Sequence, residues 1–365
     1  MAERGAMKPV TGDVELSRDE LKVLTALTSS PSLSEAARRT GFSRKYVRDV
    51  ARRLNELGIL VFFPDLPKIG LSLIFILSEG EMFSFVKKIP HFFLHLKSRG
   101  SGFLYVALAD KRSLPEFSRK AFSGGGKFYT LGEVRGWNTA FIDFLAERDG
   151  LGETFTVNEV ASIFIEYLLE RFDGRDSLKR FLASLKVRDR QGGAGSDVYY
   201  VDMDEYDVTI LDSKLADAFV SISSIAKRHG LYRQVLHYHY VNHVLPIWKY
   251  NIVMWKGVGK RFEPRLLIYD GEDVDVVEEF YRTMYPTVFT ARPINQRDSL
   301  VVLTYLPPDR EEALGKLSKR FSLRFAKRFE EELILSYYAS RPFSRIYTES
   351  GWRSIYEDYL EATGM

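Results

Sequence analysis

Between Arg38 and Arg53 the chain carries seven cations (Arg38, Arg39, Arg44, Lys45, Arg48, Arg52 and Arg53) against a single acid, Asp49. Guanidinium and ammonium groups at this density neutralise phosphates, and those in the first turns of a helix reach base edges in a major groove. The spacing assigns Arg44, Lys45 and Arg48, with Ser43 and Tyr46 beside them, to bases or phosphates. Arg38, Arg39, Arg52 and Arg53 then steady the contact with the nucleic-acid backbone.

Such a face needs a scaffold, and the first sixty residues spell one. Ser17 caps a helix with Glu20 at the capping-box position, and Leu21, Leu24 and Leu27 follow as one apolar stripe. Ser29-Ser30-Pro31-Ser32 breaks it. A short helix runs from Ser34 to Thr40, Gly41 turns the chain, and Ser43 caps a third helix with Tyr46, Val47, Val50, Leu54 and Leu57 inward. Gly58 stops that helix, and Ile59 to Phe63 reads as a strand. Helix, helix, glycine turn, helix and strand make a helix-turn-helix with a wing.

The chain then starts over. Residues 155–168 match 347–360 without a gap, Ser34 to Phe42 match Ser223 to Leu231, and the strand-like Leu71 to Ile76 matches Arg265 to Tyr269. Repeated order over so long a period indicates one design used twice. In the second copy the recognition segment reads Tyr232 to His243 and keeps one strong cation, Arg233, with Gln234 and His237; Lys256, Lys260 and Arg261 follow the wing-like strand. Two readings stay open for it: a weaker DNA contact through these residues, or a module converted to packing against protein.

Composition narrows the rest. The 365 residues hold no Cys, 45% hydrophobic residues and a net charge of +3, so any nucleic-acid footprint is local and no disulfide or thiol chemistry is available. Three Gln and six Asn beside 101 charged residues give a thermophile-like bias, read here as archaeal. No signal or membrane-spanning segment is apparent, which implies a cytoplasmic protein. His239/His243 and His91/His95 each stand at i, i+4, a spacing able to present two imidazoles to one metal ion, but no acidic third ligand lies nearby in sequence. Gly124-Gly125-Gly126-Lys127 and Gly257-Val258-Gly259 lack the spacing of phosphate or dinucleotide loops. The expectation is no catalytic residue, no cofactor, no metal and no enzyme.

Leu21-Lys22-Val23-Leu24, Leu33-Ser34-Glu35-Ala36-Ala37, Gly41-Phe42-Ser43, Val47, Leu54 and Gly58-Ile59-Leu60 resemble the winged helix of the feast/famine (Lrp/AsnC) regulators, and Pro64 to Leu71 resembles that family's linker. The resemblance implies a DNA-binding transcriptional regulator with a βαββαβ, ferredoxin-like effector domain after each winged helix. It also places an amino-acid effector near the turns Gly100-Ser101-Gly102-Phe103 and Gln296-Arg297-Asp298-Ser299, where only Asp298 supplies a carboxylate. The expected fold class is therefore α+β in two tandem copies: winged helix 1–64, ferredoxin-like domain 65–136, helical segment 137–190, linker 191–197, second and degenerate winged helix 198–258, second ferredoxin-like domain 259–330 and helical segment 331–365. Expected partners are double-stranded DNA, a small-molecule effector and a second copy of the chain. The competing readings are a ligand-sensing scaffold acting through another DNA-binding chain and a sequence-independent chromatin protein.

Overall fold

A computed structural model describes residues 15–79, 83–98, 102–122, 127–138, 140–141, 154–188, 200–255, 265–283, 287–294, 296, 298–304, 308–338 and 340–365. Strand β1 (Glu15–Ser17) leads into α1 (Arg18–Thr28), where Ser17 Oγ accepts from the Glu20 amide at 3.2 Å and the Glu20 carboxylate accepts from the Ser17 amide at 2.9 Å. α2 (Leu33–Thr40) ends at Gly41, whose φ of 75° lies in the left-handed region that favours glycine. α3 (Arg44–Leu57) begins at Ser43, whose Oγ accepts from the Tyr46 amide at 3.2 Å. Val23, Leu24, Leu27, Ala36, Val47, Val50 and Leu54 are buried among these three helices, as the apolar spacing requires.

The expected wing is different. β2 (Gly58–Pro64) forms no local hairpin; it pairs antiparallel with β8 (Trp248–Trp255) of the second half, from Gly58 opposite Trp255 to Pro64 opposite Trp248. One ribbon thus serves both modules. Asn251 secures it, donating to the carbonyls of Leu27 at 2.7 Å and Ser30 at 2.9 Å at the end of α1.

The first half continues with β3 (Leu71–Glu79), β4 (Phe92–Ser98), β5 (Gly102–Asp110), α4 (Leu114–Ala121), β6 (Lys127–Arg135), β7 (Thr154–Thr156), α5 (Val157–Arg171) and α6 (Arg175–Arg188). The second brings α7 (Glu205–Ala216), α8 (Ile222–His229) and α9 (Arg233–His239), then β9 (Arg265–Asp270), α10 (Val274–Thr283), β10 (Thr287–Pro293), β11 (Ser299–Thr304), α11 (Pro308–Phe321) and β12 (Ala326–Tyr338). The sheet strands close into a barrel in the order β10-β11-β9-β12-β4-β5-β3-β6, with β6 back on β10. Within each half the order is second, third, first, fourth, the order of the expected βαββαβ sheet. The two sheets join edge to edge, which leaves the barrel no free edge.

Side chains fill the barrel. Leu73, Phe75 and Leu77 of β3 point to the same core as Leu266, Ile268 and Phe289, with the Phe75 and Phe289 rings edge-on at 5.5 Å. Ile74 and Ile76, alternate residues of the same strand, face a separate outer cluster with Phe85, Tyr105, Phe117, Ile355 and Tyr359. Burial on both faces is why Leu71 to Leu77 reads as one greasy run rather than an alternation.

Three local expectations change. The helix that the βαββαβ order expects between the first two strands of the first sheet is, among the described residues, a 3-10 turn at Ser84–Lys87 followed by β4; Pro90 cannot continue a helix, and the next apolar residues feed the strand. β12 runs on to Tyr338, into the stretch expected to be helical. In the matched terminal segments, α5 begins directly after its Thr156 cap, whereas the matching stretch of the second half first folds into a hairpin, β13 (Tyr347–Thr348) and β14 (Gly351–Trp352). Gly351 sits at a φ of 101°, and α12 (Pro342–Ile346) and α13 (Ile355–Thr363) flank the hairpin. The linker 191–197 and the Gly124–Gly126 loop lie outside the described residues.

The terminal helices cross over. α5 and α6 pack on the second half, with Phe164 5.9 Å from Phe280 and Arg175 bonded to Asp273 at 2.7 Å. α13 packs on the first half, with Tyr359 5.2 Å from Phe85 and 5.6 Å from Phe117. Asp358 anchors it, taking His91 Nε2 at 3.2 Å and Arg353 Nε at 3.0 Å. Burial alone would raise the Asp358 carboxyl, but the hydrogen bonds from His91 and Arg353 hold it at about 2. A depressed carboxyl contributes stability that is complete above the unfolded value of about 4 and is lost as pH falls towards 2. Asp358→Asn is therefore expected to lower stability at pH 7 by about 2 kcal/mol and to flatten the decline between pH 4 and pH 2; urea unfolding across that range measures both.

Candidate nucleic-acid interface

α3 has two chemically distinct sides. Val47, Val50, Ala51 and Leu54 are buried, while Arg44, Lys45, Tyr46, Arg48 and Arg52 are exposed. Arg44, Arg48 and Arg52 recur every four residues and share one stripe, with Lys45 beside it. Asp49 lies 3.7 Å from Arg48 and 3.8 Å from Arg52, and all three are well exposed; such loose surface pairs hold little energy and are readily exchanged for a phosphate. Arg44 and Lys45 form no ion pair among the described residues.

The four supporting cations divide. Arg38, with 77% of its side chain exposed, and Arg52 point outward. Arg39 is tied to Glu35 at 2.8 Å and to Ser29 Oγ at 3.2 Å. Arg53 is bonded to the Glu20 carboxylate and to the Glu15 carbonyl at 3.2 Å. These two hold α1 against α2 and α3 and so orient the basic stripe. The Ser43 hydroxyl is engaged as a cap on the Tyr46 amide.

The second module repeats the turn chemistry without the charge. α8 ends at Gly230 with a φ of 67°. α9 exposes Tyr232 and Tyr238, and Arg233, Gln234 and His237 are also exposed. Lys227 and Arg228, exposed at the end of α8, align with Arg38 and Arg39 of the first half. Lys256, Lys260 and Arg261 lie outside the described residues. The module also leans on the first one: the Ala218 amide donates to the Leu60 carbonyl at 2.8 Å and the Tyr240 hydroxyl to the Pro31 carbonyl at 3.3 Å.

Beneath α9 the structure supplies what the sequence lacked. His239 and His243 have an acidic neighbour after all, Asp207 in the first turn of α7. His239 Nδ1 is 3.2 Å from one Asp207 oxygen and His243 Nδ1 is 2.9 Å from the other. Burial pushes the Asp207 carboxyl up, against the hydrogen bonds from His243 and the Asp204 amide. The residue was missed because it lies more than thirty positions upstream, on another helix. The other spaced pair does not converge: His91 Nδ1 lies 2.7 Å from the Leu108 carbonyl and its Nε2 3.2 Å from Asp358, while burial, reinforced by Arg345 and Lys87, lowers His95 to about 4.

A cleft of about 520 Å³ opens between the start of β3 and the β13–β14 hairpin. Lys111, Arg112, Tyr200, Tyr347 and Trp352 line it, and Trp352 is fixed by donating to the Ile69 carbonyl at 2.6 Å. Of the turns expected to bind an effector, Gly102 opens β5 and Asp298 sits exposed before β11; neither lines this cleft. Gly100, Ser101 and Arg297 lie outside the described residues. No described helix is long and apolar enough to cross a membrane.

No protein-family model matches the chain, and no curated protein matches it. Solved structures similar to it include the siroheme decarboxylase NirDL, at 10% identity and a TM-score of 0.43, over 95% of this chain and 100% of that one. A second is NirDL in co-complex with an iron-uroporphyrin III analogue, again at 10% identity and a TM-score of 0.43, over 94% and 99%. Two expectations are corrected by these findings. The identification as a feast/famine regulator falls, because no family model or curated protein supports it and the similar structures are of siroheme decarboxylase NirDL. The expectation that the chain is not an enzyme falls with it, since those structures are of an enzyme.

Proposed function

We propose that the chain contacts double-stranded DNA through α3, with one reading head and one altered copy of it. The observation that carries this reading is the exposed stripe of Arg44, Lys45, Arg48 and Arg52 on a helix whose opposite side is buried. Arg38 extends the stripe, and the glycine turn at Gly41 sets α3 at the module's surface. The second module lacks a comparable stripe, so its Tyr- and His-rich surface adds at most a minor contact through Arg233 and Gln234. The shared β2–β8 ribbon and the closed barrel support a chain assembled from two copies of one design, fixing both heads on one body.

Phosphate neutralisation releases counterions, so affinity falls as a power of salt concentration, with about 0.9 per phosphate neutralised. With four of these cations engaged, raising salt from about 50 to 200 mM is expected to weaken binding roughly 100-fold. Fluorescence anisotropy with a labelled random-sequence duplex measures the slope; affinity independent of salt contradicts the proposal.

A second reading rests on the cleft beside Trp352, lined by Lys111 and Arg112 and also by Asp110 and Asp202: a planar ligand against the aromatic wall, with an anionic group at Lys111 and Arg112. An iron-uroporphyrin III analogue is a suitable first probe of that shape and charge. Tryptophan quenching that disappears in Lys111→Ala/Arg112→Ala supports this cleft as the site, and quenching unchanged in the variant places the ligand elsewhere.

A further inference from the structure

We propose that Asp207, His239 and His243 form a binding site for one divalent first-row transition metal ion, with Asp204 as a fourth donor. The three side chains come from two helices packed against each other, and their ligand atoms lie within 4.8 Å of one another. The two Nδ1–oxygen separations are 3.2 and 2.9 Å, and Asp204 Oδ2 lies 3.3 Å from His239 Nδ1. Donors bound to zinc at about 2.0–2.1 Å in a tetrahedron stand ~3.3 Å apart, so the ion fits with little movement of the side chains. Two imidazoles and carboxylate oxygen suit zinc and its neighbours rather than magnesium or calcium.

The backbone is shaped for this convergence. Asp207 is fully buried and is held by α7's own cap: its carboxylate accepts from the Asp204 amide at 3.0 Å, while Asp204 Oδ1 accepts from the amides of Tyr206 and Asp207. Asp204 Oδ2 remains turned to His239. Between the histidines α9 widens into a π-helical turn, Tyr240–Val244. Such turns are frequent at functional sites; here it carries His243 under α7 beside His239. The Tyr206 and Tyr238 rings flank the imidazoles, 5.1 and 5.5 Å from His239. The ion would pin the far end of α9 to the first turn of α7, making the second module a metal-fixed surface.

The bland alternative is a carboxylate shared by two imidazoles through hydrogen bonds alone. Isothermal titration of the untagged, chelator-treated full chain with zinc chloride separates the two. The expected result is one equivalent per chain with a rise in Tm, weakened at least 10-fold in His243→Ala and in Asp207→Asn. Absence of stoichiometric zinc binding, or unchanged affinity in a folded His243→Ala protein, overturns the proposal. Should Asp207→Asn fail to fold, His243→Gln, which keeps a polar group on α9 but removes the imidazole ligand, decides in its place: retained affinity overturns the site and lost affinity supports it.

Discussion

Replacing Arg44 and Arg48 together by alanine is expected to weaken binding to duplex DNA by about 100-fold at low salt, roughly 3 kcal/mol. Both side chains stand on the exposed stripe, and among the described residues the only ion-pair partner of either is Asp49, 3.7 Å from Arg48 on the same surface. Their loss removes no buried contact, so the melting temperature should stay within a degree or two of the parent and the change is read as binding. The matching substitution in the second module, Arg233→Ala with Gln234→Ala, should change affinity less than threefold. Arg53→Ala gives a third pattern. It removes the Glu20 bond that ties α3 to α1, so stability and affinity should fall together. Anisotropy titrations paired with thermal melts of the three variants distinguish contact from support.

Arg282→Met is expected to destabilise the protein by about 3–5 kcal/mol, the largest loss from any single change considered. Arg282 is 2% exposed on α10, donating to Glu279 at 2.7 Å and to the Gly136 carbonyl at 3.2 Å. Glu278 and Glu279 beside it are buried too, flanked by Arg135 of β6 at 3.9 and 3.8 Å and by Arg292 of β10 at 3.0 Å from Glu278. This network lies over the β6–β10 seam, where Thr290 pairs with Arg135 and the barrel closes. Removing one cation leaves carboxylates buried with less compensation, whereas removing both partners, Arg282→Met with Glu279→Leu, should recover much of the loss. Urea midpoints for parent, single and double variants test the cycle; additive losses would show that the pair does not act as a unit.

The residues differ in how openly they announce their positions. α1 to α3 could be read from caps and stripes because their signals are local: Ser17 with Glu20, Ser43 with the Tyr46 amide, and Gly41 at a positive φ. In the sheets, β3 and β9 were legible as the apolar runs Leu71 to Ile76 and Arg265 to Tyr269, whereas β4, beyond the break at Pro90, was not. Pairings between the halves were not legible. Nothing near Ile59 says that its partner is Met254 rather than a residue four or five positions on. The same distance hid Asp207 from His239 and His243: the i, i+4 spacing was visible, the third side chain was not. The ungapped terminal match also promised more than it holds, since Tyr347–Trp352 folds into a hairpin at Gly351 before the Ser354 cap, whereas the matching stretch of the first half enters α5 directly after Thr156. Side-chain pairing divides the cations as well: seven formed one cluster in sequence, and Arg39 and Arg53 prove to be held by Glu35 and Glu20.

The central claim is that α3 is the surface that meets DNA. Ultraviolet cross-linking of the full chain to a random-sequence duplex, followed by mass spectrometry of the attached peptides, maps that contact directly. Cross-links concentrated between Ser43 and Arg52 are the predicted result; cross-links confined to Tyr232–His239, or a duplex that attaches nowhere on α3, would contradict it.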